Sequence, residues 1–192
     1  MDWNVGDNIL INEASVEVSV NFRGSENYIL IEEGSRLINL SINVGSNCNV
    51  KIGRGSLLNN LSIFCNDDSS ISIGKNCKCT YKLEIMAHEP SNITIRDNLL
   101  CGPRVLISSS DMHGIFDAET GNRINSAKDI FVDEHVWIGA ESVILKGAAI
   151  GSDSVIGTRS IVTGLIPRNV IAAGSPARIV KQGVTWREDF GA

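Results

Sequence analysis

The chain has 192 residues and a formal net charge of −5; 43% of its residues are hydrophobic but only 5% are aromatic. This length suits one domain with a buried core, and the apolar fraction excludes a disordered chain. The acidic balance argues against a nucleic-acid partner, and no apolar run reaches the roughly 18 residues that a membrane-spanning helix requires. We therefore predict a folded domain whose core contains few rings.

The first residues and the cysteines indicate the compartment. The start, Met1 to Val5, has neither the basic nor the apolar region of a secretory signal, so we expect a cytoplasmic protein. The five cysteines lie among apolar or small residues and do not form zinc-binding pairs. We predict that they are buried, reduced thiols.

Short apolar triplets recur along the first two thirds of the chain. Alternation of Val16, Val18, Val20 and Phe22 already predicts a strand within the first 30 residues. The third residues of successive triplets are 20, 21, 21, 22 and 37 positions apart. The triplets are Ile9-Leu10-Ile11, Ile29-Leu30-Ile31, Val50-Lys51-Ile52, Ile71-Ser72-Ile73, Ile93-Thr94-Ile95 and Ile130-Phe131-Val132. We predict that each triplet is the equivalent strand of one repeat.

From Val132 onward the repeat becomes strict, with an aliphatic residue at every sixth position. These residues are Val132, Ile138, Ile144, Ile150, Ile156 and Val162. Four positions after each of the first five stands a small or aliphatic residue, namely Val136, Ser142, Ala148, Ser154 and Ser160. This spacing predicts short strands joined at corners, three to a coil, in a parallel β-solenoid with about seven coils. Its narrow interior would explain the shortage of aromatic residues.

The earlier coils carry surplus residues on their third side, at about 64–72, 85–94 and 108–129. The largest surplus is a polar loop, and loops on a rigid scaffold commonly carry function. It contains His113, flanked by Asp111 and Asp117, which are candidates to orient the ring or to solvate the loop. His113 is therefore the first catalytic candidate.

The C-terminal half resembles the hexapeptide-repeat acyltransferases. The resemblance rests on His135-Val136-Trp137-Ile138-Gly139-Ala140, on Ile144 to Gly151, and on Ser160-Ile161-Val162-Thr163 with Gly174-Ser175-Pro176-Ala177. It implies an all-β, left-handed parallel β-helix, a homotrimer and acetyl-CoA as the co-substrate. We expect one such domain over residues 1–182, with an extended loop at about 108–129 and a C-terminal tail at 183–192.

The loop sequence indicates which members of this family the chain resembles most. Ser110-Asp111-Met112-His113-Gly114-Ile115, with Arg123-Ile124-Asn125, is most similar to sugar and polysaccharide O-acetyltransferases of the capsule, O-antigen or sialic acid type. The resemblance implies that His113 is a general base, which takes the proton of a sugar hydroxyl as that oxygen attacks the thioester. No nucleophile elbow is present, so transfer would be direct. A backbone N–H near Gly139 or Ala140 would stabilise the oxyanion.

The resemblance also implies roles for residues outside the loop. Trp137 would pack against the active site; the alternative is an exposed interface anchor. The chain departs from the family at Ser175 and Gly164, where Asn and Lys are usual. Arg178 and Lys181 would meet the phosphates of CoA, unless they are a solvated basic tail. The full set of expected CoA contacts is Trp137, Gly139, Ala140, Thr158, Thr163, Arg178 and Lys181. His88 and Asp117 are candidate acceptor contacts, although a plain loop histidine is the more common role for a residue such as His88. We expect His135 to point outward as a subunit contact.

Two other functions use the same fold. A metal hydratase similar to the γ-carbonic anhydrases needs three histidines on one zinc, two of them closely spaced. Here the histidines are 25 and 22 residues apart, so we expect no metal. A non-catalytic solenoid scaffold would bind no CoA and would not depend on His113.

Overall fold

The structure, a computed structural model, describes residues 2–189 of the chain, with side chains from Gly6 onward. Within that range the regular structure consists of strands, and no helix there is long and apolar enough to cross a membrane. The strands are β1 (Asp2–Val5), β2 (Asn8–Asn12), β3 (Val18–Phe22), β4 (Tyr28–Ile31), β5 (Arg36–Ile38), β6 (Leu40–Val44), β7 (Asn49–Ile52), β8 (Leu57–Asn59), β9 (Leu61–Cys65), β10 (Ser70–Ile73), β11 (Lys78–Cys79), β12 (Leu83–Ala87), β13 (Asn92–Ile95), β14 (Leu100–Cys101), β15 (Val105–Ser108), β16 (Ile130–Val132), β17 (Trp137–Ile138), β18 (Val143–Leu145), β19 (Ala149–Ile150), β20 (Val155–Ile156), β21 (Ile161–Val162), β22 (Leu165–Ile166), β23 (Val170–Gly174) and β24 (Ala177–Gln182).

Three sheets form the sides of a triangular prism, and each coil adds one strand to each sheet in turn. The first sheet has the order β1-β2-β4-β7-β10-β13-β16-β19-β22. The second sheet is β24-β23-β20-β17-β14-β11-β8-β5, and the third is β21-β18-β15-β12-β9-β6-β3. Neighbouring strands are parallel except at two ends, where β1 and β24 pair antiparallel with β2 and β23. The predicted three-sided solenoid is therefore confirmed.

The core consists of aliphatic ladders along the prism axis. All six large residues of the strict repeat, from Val132 to Val162, are 0% exposed, and the smaller residues between them are at most 1% exposed. The fully buried cluster contains no aromatic side chain, although Phe22 packs partly against it. Stacked parallel strands lie only about 4.8 Å apart, so each inward position faces its equivalents above and below and leaves little room for rings.

The looser N-terminal repeat follows the same plan. The six apolar triplets all lie in the first sheet, as the sequence predicts. The surplus residues extend the third sheet, whose early strands are five residues long, as in β6, β9 and β12. All five cysteines are buried free thiols, which confirms their predicted burial.

Glycine at coil corners provides a test of this stacking. A Cβ on Gly53 would lie 2.5 Å from the carbonyl carbon of Gly74 on the next coil, whereas one on Gly164 would meet nothing within 4 Å. We expect Gly53→Ala to lower the free energy of unfolding by about 1–3 kcal/mol, and Gly164→Ala to change it by less than about 0.5 kcal/mol. Denaturant unfolding of both variants checks this, and equal midpoints would contradict the stacked-corner explanation.

Candidate active site

The loop of residues 108–129 leaves the prism at the corner between the third and first sheets, because it joins β15 to β16. We call this edge the loop corner. The buried side chain of Asn125 clamps the loop around the candidate base. Its Oδ1 accepts the N–H of Ile115 at 2.7 Å, and its Nδ2 donates to the Asp111 carboxylate and to the His113 carbonyl oxygen, each at 2.8 Å. One amide thus fixes the main chain at His113 and Ile115 and holds the side chain of Asp111.

Charged residues of the neighbouring coils tie the loop to the prism. Lys146, one coil later, donates through Nζ to Asp111 Oδ2 at 2.5 Å and to the Asn125 carbonyl oxygen at 2.8 Å. Its hydrogen bond lowers the pKa of Asp111, with a further contribution from Asn125. Glu89, one coil earlier, pairs with Arg123 at 2.6 Å and accepts the Ser110 hydroxyl. Of the residues that make these contacts, Asp111 alone was predicted as a site residue. Arg123 and Asn125 were noted only as part of the loop resemblance.

The His113 imidazole is exposed, and its ring makes no hydrogen bond to any residue in the range 2–189. Asp111 faces Lys146 and Asn125, and Asp117 accepts the N–H and hydroxyl of Thr120 within its own turn. Neither carboxylate hydrogen-bonds the ring, so of the two roles predicted for them, orienting the ring or solvating the loop, these contacts do not show the first. Asp111 positions the loop main chain instead, because the strong charge pair with Lys146 occupies its carboxylate.

His88 lies at the loop corner one coil before the loop. Its ring packs on Phe64 with centroids 4.5 Å apart, and its Nε2 is buried without a hydrogen-bond partner among the described residues. Burial lowers the pKa of His88, and the positive charge of Arg23 adds to that effect. The structure therefore places this predicted acceptor contact beside the loop, with a ring that favours the neutral form.

The ion pair at Glu89 makes the attachment of the loop dependent on pH. Hydrogen bonds from Arg123 and Ser110 lower the pKa of Glu89 to about 2, so the carboxylate stabilises the folded loop fully above about pH 4.5. That stabilisation is lost as the pH falls from 4.5 toward 2. We expect pepsin to cut within residues 108–129 increasingly over this window, as followed by mass spectrometry. Glu89→Gln should reduce the increase relative to Glu119→Gln at the same pH values; identical profiles for both variants would contradict this role.

Trp137 lies on the outer face of the second sheet, in β17, and is 41% exposed. Gly139 and Ala140 follow at the corner between the second and third sheets, and Thr158 occupies the same corner one coil later. The Gly139 N–H donates to the Ile156 carbonyl at 2.7 Å, so it is not available to an oxyanion. This corrects one of the two predicted donors, whereas the Ala140 N–H makes no backbone hydrogen bond to a described residue.

The remaining predicted CoA contacts lie on two different sides of the prism. Thr163 follows β21 at the loop corner, and Arg178 and Lys181 are exposed on β24 at the end of the second sheet. In a triangular prism the loop corner lies opposite the second sheet. One chain therefore brings His113, Asp111 and Thr163 to one edge and does not bring them to Trp137.

The C-terminal residues 183–189, which we call the tail segment, cover part of the second sheet. Trp186 is 8% exposed and stacks on His135 with ring centroids 4.3 Å apart and planes at 13°. Its indole N–H donates to the His135 carbonyl at 2.8 Å, and its ring centroid lies 6.1 Å from that of Trp137. His135, expected as a subunit contact, packs within its own chain and bonds Asp153 through Nδ1 at 2.8 Å. The sequence feature that could have predicted this contact is a single tryptophan in a polar C-terminal stretch.

The histidines do not converge on one point. His88 and His113 lie at the loop corner, whereas His135 lies between β16 and β17 at a different corner. Among residues 2–189, no group of three or more His, Cys, Asp or Glu side chains is placed to hold a metal ion.

Comparison with known proteins places the chain in a family. No family profile matches the sequence. The crystal structure of the polySia-specific acetyltransferase NeuO superposes with a TM-score of 0.92 at 33% identity, covering 97% of this chain and 81% of that one. The chain belongs to the hexapeptide-repeat acetyltransferases, and the predicted left-handed parallel β-helix is confirmed.

Curated relatives match shorter stretches. A polysialic acid O-acetyltransferase of Escherichia coli O1:K1 / APEC is 37% identical over 95 residues, which is 50% of this chain and 31% of that protein. A galactoside O-acetyltransferase of Escherichia coli K12 is 37% identical over 108 residues, or 56% of this chain and 52% of that protein. The chain thus spans about half or less of the length of these curated relatives.

Proposed function

We propose that the protein is an O-acetyltransferase that moves an acetyl group from acetyl-CoA to a hydroxyl of a sugar or polysaccharide, of the capsule, O-antigen or sialic acid type. The observation that carries the proposal is the exposed His113 imidazole on a loop clamped by Asn125, in a fold shared with NeuO. The similarity to a polysialic acid O-acetyltransferase and a galactoside O-acetyltransferase supports a saccharide acceptor.

Because the proposed site has a general base but no protein nucleophile, the mechanism is direct transfer of the acetyl group to the acceptor. His113 takes the proton of the acceptor hydroxyl as its oxygen attacks the thioester carbonyl carbon. The tetrahedral oxyanion accepts the Ala140 N–H, the carbon–sulfur bond then breaks, and the imidazolium returns the proton to the departing CoA sulfur. The exposed indole of Trp137 provides an apolar surface beside the reacting groups.

The same proposal assigns the CoA contacts. Arg178 and Lys181 are exposed on β24, where their charges can meet the phosphates of CoA. Thr158 and Thr163 are also exposed, at the corners through which the cofactor would pass. No metal takes part in this reaction. We propose that the protein acts in the cytoplasm, where acetyl-CoA is available.

We further propose a homotrimer whose active sites lie between chains. His113 and Trp137 lie on opposite sides of one prism, so a second chain must supply the tryptophan face to the loop corner. Exposed apolar residues run beside that corner: Phe131 is 41% and Leu165 is 76% exposed, and both flank Ala149 in register on the first sheet. Such a row is typical of a protein interface.

The test is direct. Purified protein is incubated with acetyl-CoA and either oligosialic acid or galactosides, and free CoA and acceptor mass are measured. We expect one acetyl mass increment per CoA released for at least one acceptor. Failure to bind CoA would favour a scaffold, and one zinc per chain with hydratase activity would favour the alternative enzyme; both would contradict the proposal.

A further inference from the structure

The tail segment is fixed to the prism at several points. Asn169 and Val184 exchange two hydrogen bonds, at 3.1 Å from Asn169 Nδ2 and 3.0 Å from the Val184 N–H. Trp186 is inserted between His135 and Trp137, as described above. Further along, Lys78 donates to both carboxylate oxygens of Glu188, at 2.7 and 2.8 Å. The tail therefore runs back across several coils of the second sheet in a defined path.

Between the tail segment and the second sheet lie two adjoining clefts, which we call the tail clefts. Their volumes are about 610 and 400 Å³, within the range of ligand sites. Both are walled by Trp186 and by the charged residues Arg187, Glu188 and Asp189. The smaller cleft also contains Trp137, so it adjoins the residue that the proposed reaction places beside the reacting groups.

The floor of the clefts follows one outward row of the second sheet. In register, Lys78 pairs with Leu100, and Leu100 pairs with Trp137. Two steps between parallel strands span about 10 Å, which is longer than a single sugar ring. Trp137 is 41% exposed, so the row presents apolar surface at that end.

The rim chemistry fits a carbohydrate. The cations are already matched by carboxylates, since Lys78 pairs with Glu188 and Arg187 lies 3.7 Å from Asp189. The rim therefore carries both charge signs, and its carboxylates and guanidinium can bond the hydroxyls of a sugar. The exposed indole of Trp137 can stack on the apolar face of a sugar ring, whereas the Trp186 ring is stacked on His135 and acts as a wall. The apolar floor of the clefts matches the apolar face of a sugar ring, and the polar rim matches its hydroxyl groups.

We propose that the tail clefts are an acceptor subsite, which binds the sugar units next to the one that is acetylated. The tail segment forms its outer wall, and Trp186 and Glu188 are positioning residues that determine acceptor length. The acceptor is thus an oligosaccharide or a longer glycan. The proposal rests on the O-acetyl transfer proposed above.

Acceptor length provides the test. Oligosialic acids and galacto-oligosaccharides of increasing length are used as probes, and kcat/KM is measured for the wild type, for a chain ending at Gln182, and for Trp186→Ala and Glu188→Gln. We expect kcat/KM of the wild type to rise about 10-fold or more with length, through KM. The truncated chain and Trp186→Ala should lose this rise yet keep activity on the shortest acceptor and the same Kd for CoA.

Controls separate folding from recognition. Trp186 lies outside the core cluster, so the truncated chain should still unfold cooperatively, with a melting temperature lowered only by the loss of the tail contacts. Lys51→Ala removes an ion pair of similar length, 2.7 Å to Glu32, on the first sheet and should keep the wild-type length dependence. An equal rise with length in the wild type, the truncated chain and Glu188→Gln would overturn the subsite. Absence of transfer by the wild type to every probe would instead refute the proposed function itself.

Discussion

Replacing His113 with alanine is expected to lower kcat by about 100-fold or more, while the affinity for CoA stays nearly unchanged. A sugar hydroxyl is a poor nucleophile near neutral pH, so loss of the base removes stabilisation that exists only in the transition state. The Asn125 clamp holds the main chain at this position, so the loop keeps its path without the ring. Steady-state thiol release and CoA calorimetry measure the two effects.

Glu119→Gln is the matched control for this change. Glu119 is an exposed residue of the same loop, and within residues 2–189 only its backbone N–H is hydrogen-bonded, to Asp117 at 3.1 Å. It should therefore keep wild-type kcat. Full activity of His113→Ala would eliminate the general-base assignment, and an equal loss in Glu119→Gln would show that the loop tolerates no change.

Mixing two inactive variants is expected to restore activity. His113→Ala and Trp137→Ala each remove one half of a site that, as proposed, two chains share. In a randomly mixed trimer about one interface in four combines an intact His113 with an intact Trp137, so recovery of up to about a quarter of wild-type activity is expected. Co-refolding the variants and assaying the mixture measures this.

The control is the double variant, His113→Ala with Trp137→Ala, refolded with Trp137→Ala alone. No interface in that mixture has both residues, so its activity should stay at the level of the single variants. Lack of recovery in the first mixture, with both variants trimeric by light scattering, would show that the two residues do not act together across chains. Unchanged kinetics of Trp137→Ala alone would leave that tryptophan with a structural role.

The loop shows where sequence reasoning reaches its limit. The interruption of the repeat located residues 108–129 and His113 correctly as a feature of one corner. It did not identify Lys146 and Glu89, which anchor the loop from the coils on either side, 35 residues after Asp111 and 21 before Ser110. Those contacts depend on which corner residues of neighbouring coils lie above one another. Small differences in coil length determine this alignment.

The contacts of the tail segment could not be predicted from the sequence either. Trp186 lies 49 residues after Trp137 and outside the repeat, so no periodicity connects the two rings. The contact arises because the chain reverses at β24 and returns along the second sheet, where His135 and Trp137 leave a surface for an indole.

The sequence by itself determined the prism, because a six-residue period places the same type of residue at every inward position and at every corner. Val132, Ile138 and Ile144 could be assigned to three sides by counting alone. The tertiary structure decided how the irregular parts lie: Asp111 faces Lys146 rather than His113, the Gly139 N–H is used within the sheet, and Trp186 covers His135. These contacts join residues distant in sequence through single side chains, so no repeated pattern specifies them.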